Sequence, residues 1–218
     1  GEVISKVMQT EYGPDLEGRI LHGRTATQVD EALKDNMTRT FRKVLSHCND
    51  EATLLVTTLL GRWDLFNIKT IIRGKHMNLP EEEIVESLIA VGQLTQVDSE
   101  ELAKQPDIRS LVDTLATWGL PFAVPLREVM PQYEEEEDLS LLELALDRYY
   151  YEWASKRLKG WRENARIART FLAAQVDTMN LLTAIRLLNA DLGEGDASRF
   201  FLPGGEVVDE QLFLELSA

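Results

Sequence analysis

Apolar residues recur along most of this chain at three- and four-residue spacing, the signature of helices that bury one face. Between Glu51 and Arg73 the set Leu55, Leu59, Phe66, Ile68, Ile71 and Ile72 follows that spacing. Further apolar residues lie between them, which predicts a helix buried on more than one side. Pro80 followed by Glu81, Glu82 and Glu83 marks a helix start, since proline fits a first turn and carboxylates suit its positive end. Ile84, Val85, Leu88 and Ile89 are expected to continue that helix along one apolar face. A third helix is predicted over Leu141–Leu158, with Leu142, Leu146, Tyr149, Tyr150 and Trp153 as its stripe. A fourth covers Asn164–Leu188 through Ile167, Phe171, Leu172, Met179, Leu182 and Ile185. Loops are expected at Tyr12–Asp15, Gly119–Pro121, Pro131–Gln132 and Pro203–Gly205. No series of alternating strands interrupts this pattern, so the fold class is all-α.

Composition narrows the class of function. The chain has 218 residues, 44% hydrophobic and 28% charged, enough to bury roughly 70% of its unfolded surface. A formal net charge of -14 repels phosphate backbones and anionic headgroups, which argues against nucleic-acid binding and direct membrane adhesion. The single cysteine, Cys48, cannot close an internal disulfide and favours a reducing compartment. No apolar run reaches the roughly 20 residues of a membrane span, and Gly1–Lys6 lacks the blocks of a signal peptide. The expectation is a soluble, cytoplasmic protein that reaches any membrane through a protein partner.

Laid on itself at a shift of 113 positions, the chain matches residues 31–92 to 144–205 without a gap. Fifteen of 62 positions are identical, against roughly 4 expected by chance for unrelated segments. The matches include Ala32/Ala145, Leu33/Leu146, Leu45/Leu158, Leu59/Leu172, Leu79/Leu192 and Gly92/Gly205. They are densest where Asp64, Asn67, Thr70 and Arg73 fall on Asp177, Asn180, Thr183 and Arg186. On a helix, residues three apart share a face. A repeated polar cluster in an apolar helix can bind a ligand or metal, or it can hydrogen-bond a neighbouring helix end or an arginine and fix the packing of each unit. The second reading is preferred, because a catalytic site seldom needs two copies in one chain. For Gly92 and Gly205 the expected reason is a backbone conformation closed to other residues.

The same fragments carry a resemblance. Trp63–Arg73 resembles the DxxNLxxxxR helix of the C subunit of the V/A-type ATPases, the counterpart of the eukaryotic d subunit, with Ile68 in place of the leucine. Val176–Arg186 resembles it again, Phe200–Gly205 is similar to the family's loop leading to its next helix, and Ala145–Tyr151 to the opening of its second unit. The resemblance implies helical units arranged in threes as a funnel, of which two are found here and the third is largely absent. The expected organisation is a first unit over 1–130, an acidic linker over 131–140 and a second unit over 141–218, with the outer ends of both units truncated. It implies a non-catalytic rotor protein without cofactor, peripheral on the cytoplasmic face of the membrane. Its implied partners are the D- and F-type central-stalk subunits and the proteolipid ring.

Other chemistry finds little support. His22, His47 and His76 are scattered, and no metal-ligand spacing, phosphate loop or nucleophile elbow is present. Glu134–Asp138 cannot share one helix face, so a solvated linker is expected there. Trp118, Phe122, Trp153 and Trp161 are expected in the core rather than as interface anchors. The alternative function is a free-standing helical-repeat module that grips a protein or peptide. A helical enzyme comes third, since no polar pocket with perturbed carboxylates is marked.

Overall fold

The structure, a computed structural model, describes residues 2–20, 26–160, 163–188 and 197–217. Among these the regular elements are helices only: α1 (Glu2–Val7), α2 (Gly13–Ile20), α3 (Ala26–Ser46), α4 (Asp50–His76), α5 (Glu81–Glu86), α6 (Gln96–Lys104), α7 (Ile108–Thr117), α8 (Ala123–Glu136), α9 (Leu139–Arg157), α10 (Glu163–Leu187) and α11 (Glu210–Ser217), with a short 3₁₀ turn at Ala197–Phe200. The all-α expectation is met. Adding 113 to the bounds of α3 gives 139–159, beside α9; adding it to those of α4 gives 163–189, beside α10.

Local chemistry sets the ends of these helices. The Asn49 side chain accepts from the Ala52 N–H at 2.9 Å and caps α4, whose first turn carries Asp50 and Glu51 and whose last carries Arg73, Lys75 and His76. A reciprocal capping box between Thr95 and Asp98 opens α6, and Asp107 caps α7 through the Ser110 N–H at 2.7 Å.

Three boundaries differ from the pattern in the sequence, the first at Tyr12–Asp15, where the expected loop gives way to α2 from Gly13 on, with Pro14 in its first turn. The helix that starts after Pro80 ends at Glu86 instead of running on through Leu88 and Ile89. The backbone of Ile89 is taken by a side chain of α4, as described below, so it cannot join a helical ladder. The expected loop at Pro131–Gln132 and most of the expected acidic linker are helical, because α8 runs to Glu136. Pro131 lies on the exposed side of α8, as does Arg127 four residues earlier, so the carbonyl deprived of a donor there faces water. Arg109 holds Glu134 from α7, and Tyr133 packs on His76. The chain then turns within two residues. Glu137 adopts a left-handed φ of 54° and Asp138 caps α9 by accepting from the Ser140 N–H at 2.9 Å.

The main core gathers α4, α6, α7, α8, α9 and the first half of α10. Leu102, Leu111, Leu115, Leu126, Leu142, Leu146 and Tyr150 are fully enclosed. A smaller cluster of Ala184, Val208 and Phe213 seats α11 on the far half of α10. The buried side of α10 is made of Ala165, Ala168, Leu172, Ala173, Val176 and Ala184. The residues expected to form its core stripe lie mostly elsewhere: Ile167, Phe171, Leu182 and Ile185 are about half exposed. Trp118 is also exposed, Phe122 is buried, and Trp161 lies outside the described residues.

The α4–α9 contact joins the two halves of the chain. Gly61 lets the Tyr150 ring approach, for a Cβ there would sit 3.2 Å from it. The enclosed Tyr150 hydroxyl donates to the Thr58 carbonyl at 3.1 Å, and burial holds it far from ionisation. Lys69 Nζ lies 2.9 and 2.7 Å from the two oxygens of Asp147. Arg73 forks onto Glu143, with Nη2 at 2.7 Å from Oε2. Burial raises the Asp147 carboxyl above the usual range, and the Lys69 ammonium opposes that rise.

A buried pair is costly to break and cheap to replace as a whole. Asp147→Leu should therefore lower unfolding free energy by about 3 kcal/mol by leaving Lys69 with only its longer contact to Glu143, at 3.8 Å. The double variant Lys69→Met/Asp147→Leu should fall within about 1 kcal/mol of the parent. Urea unfolding followed by circular dichroism measures both, and additive losses in the double variant would contradict a coupled pair.

Candidate functional site

The repeated polar residues sit on the two longest helices and face the loops that follow them. On α4, Asp64 and Asn67 are one turn apart and buried. Asp64 Oδ2 accepts from the Gln93 N–H and Oδ1 from the Leu94 N–H, both at 2.9 Å. Asn67 pairs with the Ile89 backbone as a strand neighbour would: its Nδ2 donates to the Ile89 carbonyl and its Oδ1 accepts from the Ile89 N–H, each at 2.9 Å. One carboxylate and one carboxamide thus pin a loop that has no ladder of its own.

The second copy repeats these bonds and adds a third N–H donor to the carboxylate. Asp177 accepts from the N–H groups of Glu206 at 3.1 Å and Val208 at 2.8 Å, with Val207 between them. Asn180 Nδ2 donates to the Leu202 carbonyl at 2.8 Å, and the Leu202 N–H donates to Asn180 Oδ1 at 2.9 Å. In both copies the Asn and its partner are 22 residues apart, and the first Asp partner is 29 residues from its Asp. We call each arrangement a clamp. Counterparts of α5, including Leu192, lie at residues that are mostly outside the described ones.

The glycines belong to these clamps for a reason other than the expected one. Neither Gly92 nor Gly205 has a positive φ. Both pass so close to the clamp carboxylate that a Cβ would overlap Asp64 in one copy and Asp177 in the other. The requirement is space. The left-handed glycine of the second loop is Gly204, at φ 112°, a conformation that disfavours other residues.

Thr70 and Thr183 are half-buried one turn beyond the clamps. The arginines part company: Arg73 crosses to Glu143 on α9, whereas Arg186 is exposed. The repeated motif therefore divides into a clamp (Asp, Asn, Gly) and a junction residue. Burial raises the Asp64 carboxyl above its ordinary range, against the pull of the two N–H donors.

Three residues of the junction, Lys69, Glu143 and Asp147, do not stand out from spacing or composition. Glu143 falls on Asp30, a like charge, but for Lys69 and Asp147 the signal is a break in the repeat. At the shift of 113, Lys69 falls on Leu182 and Asp147 on Lys34, so a charge stands where the other copy has none or the opposite one.

Other titratable groups do not converge. His47 lies at the exposed end of α3, its Nδ1 2.8 Å from the Lys43 carbonyl, and the Cys48 thiol donates to the Val44 carbonyl at 3.3 Å. His22 lies outside the described residues. Among those described, no group of three or more His, Cys, Asp or Glu side chains is placed to hold a metal. An open groove of about 540 Å³ is lined by Lys75, His76, Arg109, Tyr133 and Glu134. Its polar groups satisfy one another or the backbone: Lys75 donates to the Ala103 carbonyl, His76 meets the Tyr133 hydroxyl and Arg109 holds Glu134. No helix among the described residues is long and apolar enough to cross a membrane.

Comparison with known proteins gives this duplicated clamp a family. The family model described as ATP synthase (C/AC39) subunit matches residues 1–218. The chain belongs to this family. It is 28% identical over 208 residues to the C subunit of the A-type ATP synthase of Methanococcoides burtonii, an alignment covering 94% of this chain and 56% of the relative. It is 28% identical over 206 residues to the C subunit of the V-type ATP synthase of Deinococcus radiodurans, with the same two coverages. With the C subunit of the A-type ATP synthase of Halorubrum lacusprofundi identity is 30% over 207 residues, covering 94% of this chain and 58% of the relative. The chain thus spans little more than half the length of the curated C/AC39 relatives it matches.

The clamps give separate predictions. Gly92→Ala and Gly205→Ala should each lower stability by about 1–3 kcal/mol, the usual cost of forcing atoms into a packed site. Asp64→Ala, which orphans two loop N–H groups, should cost about 3 kcal/mol. Thermal unfolding ranks all three against a surface control such as Glu100→Ala. A Gly92→Ala variant as stable as that control would show that the close approach is not needed.

Proposed function

We propose that this protein is a non-catalytic adaptor in the central rotor of a V/A-type ATP synthase. In this reading it joins the D- and F-type stalk subunits to the proteolipid ring on the cytoplasmic face of the membrane. It carries torque between them, in ion pumping or in ATP synthesis. The observation that carries the reading is the family match over the whole chain, with relatives named as the C subunit of A-type and V-type ATP synthases.

The physical character of the chain supports it. A body that passes torque must resist shear where its units meet, and closely packed interiors transmit strain. The α4–α9 junction offers a ring seated against a glycine, a buried ion pair and a forked arginine–carboxylate contact. The duplicated polar residues are engaged with the chain's own backbone, which suits an architectural use rather than chemistry. A net charge of -14 favours partner surfaces rich in lysine and arginine, where charge steers assembly.

The test is capture from gently solubilised source membranes, with the complete protein as bait and mass spectrometry as readout. Stalk subunits and proteolipid should be recovered together in stoichiometric yield. Recovery of a different soluble partner, with no ATP synthase component, would refute the proposal and favour a free-standing helical-repeat binding module.

A further inference from the structure

Each clamp loop follows a short helical stretch, and the end of that stretch is met by a basic side chain from the helix that precedes the clamp. In the first copy Lys34 Nζ, on α3, donates to the carbonyl of Glu86, the last residue of α5, at 2.6 Å. In the second, Arg148 on α9 donates through Nη2 to the Arg199 carbonyl at 2.6 Å and to the Phe201 carbonyl at 3.2 Å. Arg199 belongs to the 3₁₀ turn Ala197–Phe200. The shift of 113 that relates the clamps carries Glu86 onto Arg199, so both bonds end on the same carbonyl of the repeated unit. A helix end leaves its last carbonyls without an intrahelical donor, and a cation there is favourable.

The two basic residues are not themselves equivalent. The shift carries Lys34 onto Asp147 and Asp35 onto Arg148. The acceptor is kept while the donor moves by one residue. The α4–α9 junction supplies the reason. Asp147 is engaged by Lys69, and a lysine in its place would set two ammonium groups against each other. The next residue takes over the bond, since a long basic side chain reaches one carbonyl from adjacent positions. Asp35 in turn lines the same groove as Glu86 and Leu88. The loop is thereby held from two sides. Asn180 of α10 pairs with Leu202, and Arg148 of α9 takes the carbonyl of Phe201 beside it.

We propose that Lys34 and Arg148 are the third member of each clamp, positioning residues that fix the helix before the clamp to the loop after it. The carboxylate and carboxamide hold the loop to one helix, and the basic residue holds it to the other. In the second copy the consecutive residues Asp147 and Arg148 serve different partners, α4 and the clamp loop. One turn of α9 therefore fixes the first half of the chain and the second clamp together. In a rotor adaptor, load entering α9 from α4 passes through Arg148 towards α10 and α11. The positioning role itself does not require the rotor reading.

Residue-resolved amide hydrogen exchange on the complete protein tests it. Arg148→Met should speed exchange at Leu202 and Val208 up to about fivefold, the effect expected of a cation at a helix end, and leave Ile89 and Leu94 unchanged. Lys34→Met should do the reverse. Arg148→Lys and Lys34→Arg, which keep the cation, should exchange as the parent does. The displaced donor gives the sharpest outcome: added to Lys34→Met, Asp35→Arg should restore protection at Ile89 and Leu94, whereas Asp35→Ala should not. Helical circular dichroism unchanged from the parent shows that each variant is folded. Equal acceleration in both loops overturns the proposal, because a general loss of stability produces it. Unchanged exchange in the cognate loop overturns it too, as does failure of Asp35→Arg to rescue.

Discussion

The rest of the structure depends on a carboxylate placed inside an apolar helix, where it accepts hydrogen bonds from the backbone of a loop. Burying a charge costs several kcal/mol unless donors meet it, and loop N–H groups buried without acceptors cost about 1–3 kcal/mol each. Asp64 and Asp177 offset both penalties at once, each through two or more N–H donors. Asn67 and Asn180 add a two-way bond to the same loops. The loops can therefore lie against the core without strands of their own. The short α5 and the turn into α6 are held to α4 by these contacts as much as by their apolar residues.

A second constraint acts between units rather than within them. The clamp is the same in both copies, so it fixes the shape of a unit and says nothing about its neighbour. The buried ion pair of the junction is made by residues that break the repeat. Lys69 and Asp147 lie at equivalent places on helices whose counterparts carry Leu182 and Lys34. A buried ion pair contributes little net stability but tolerates few alternative registers. Together with Tyr150 seated against Gly61, it gives α9 one position along α4. For a protein proposed to carry torque, that register matters more than the total free energy of the contact.

Duplication also explains why apolar periodicity was a good guide to helices and a poor guide to burial. In α4 the periodic residues are largely enclosed, because α9 covers one side and the rest of the first unit covers the other. In α10 an equally apolar helix buries mainly its alanines, Leu172 and Val176, and leaves Phe171 and Leu182 open. The two helices are alike in sequence and differ in neighbours. The acidic run after Pro131 is a related case. Its composition reads as solvated chain, yet Arg109, the contact between Tyr133 and His76, and an exposed position for Pro131 keep it helical to Glu136.

The sequence by itself determined the all-α class, the positions of α4, α9 and α10 but not of the equally long α3, the duplication and the residues of both clamps, since each of these is written in local spacing or in a repeat along one line. The family resemblance rested on the same fragments. What the clamp residues bind was decided only in three dimensions, because their partners lie 22 to 31 residues away and are backbone groups, which carry no side-chain signature. The same holds for Gly92 and Gly205, whose need for space appears only when a carboxylate is folded against them. The Lys69–Asp147 pair spans 78 residues, and which face of α10 stays open depends on what packs beside it. Spacing along a chain records the period of a helix, but burial and partnership are properties of neighbours that the chain brings together from afar.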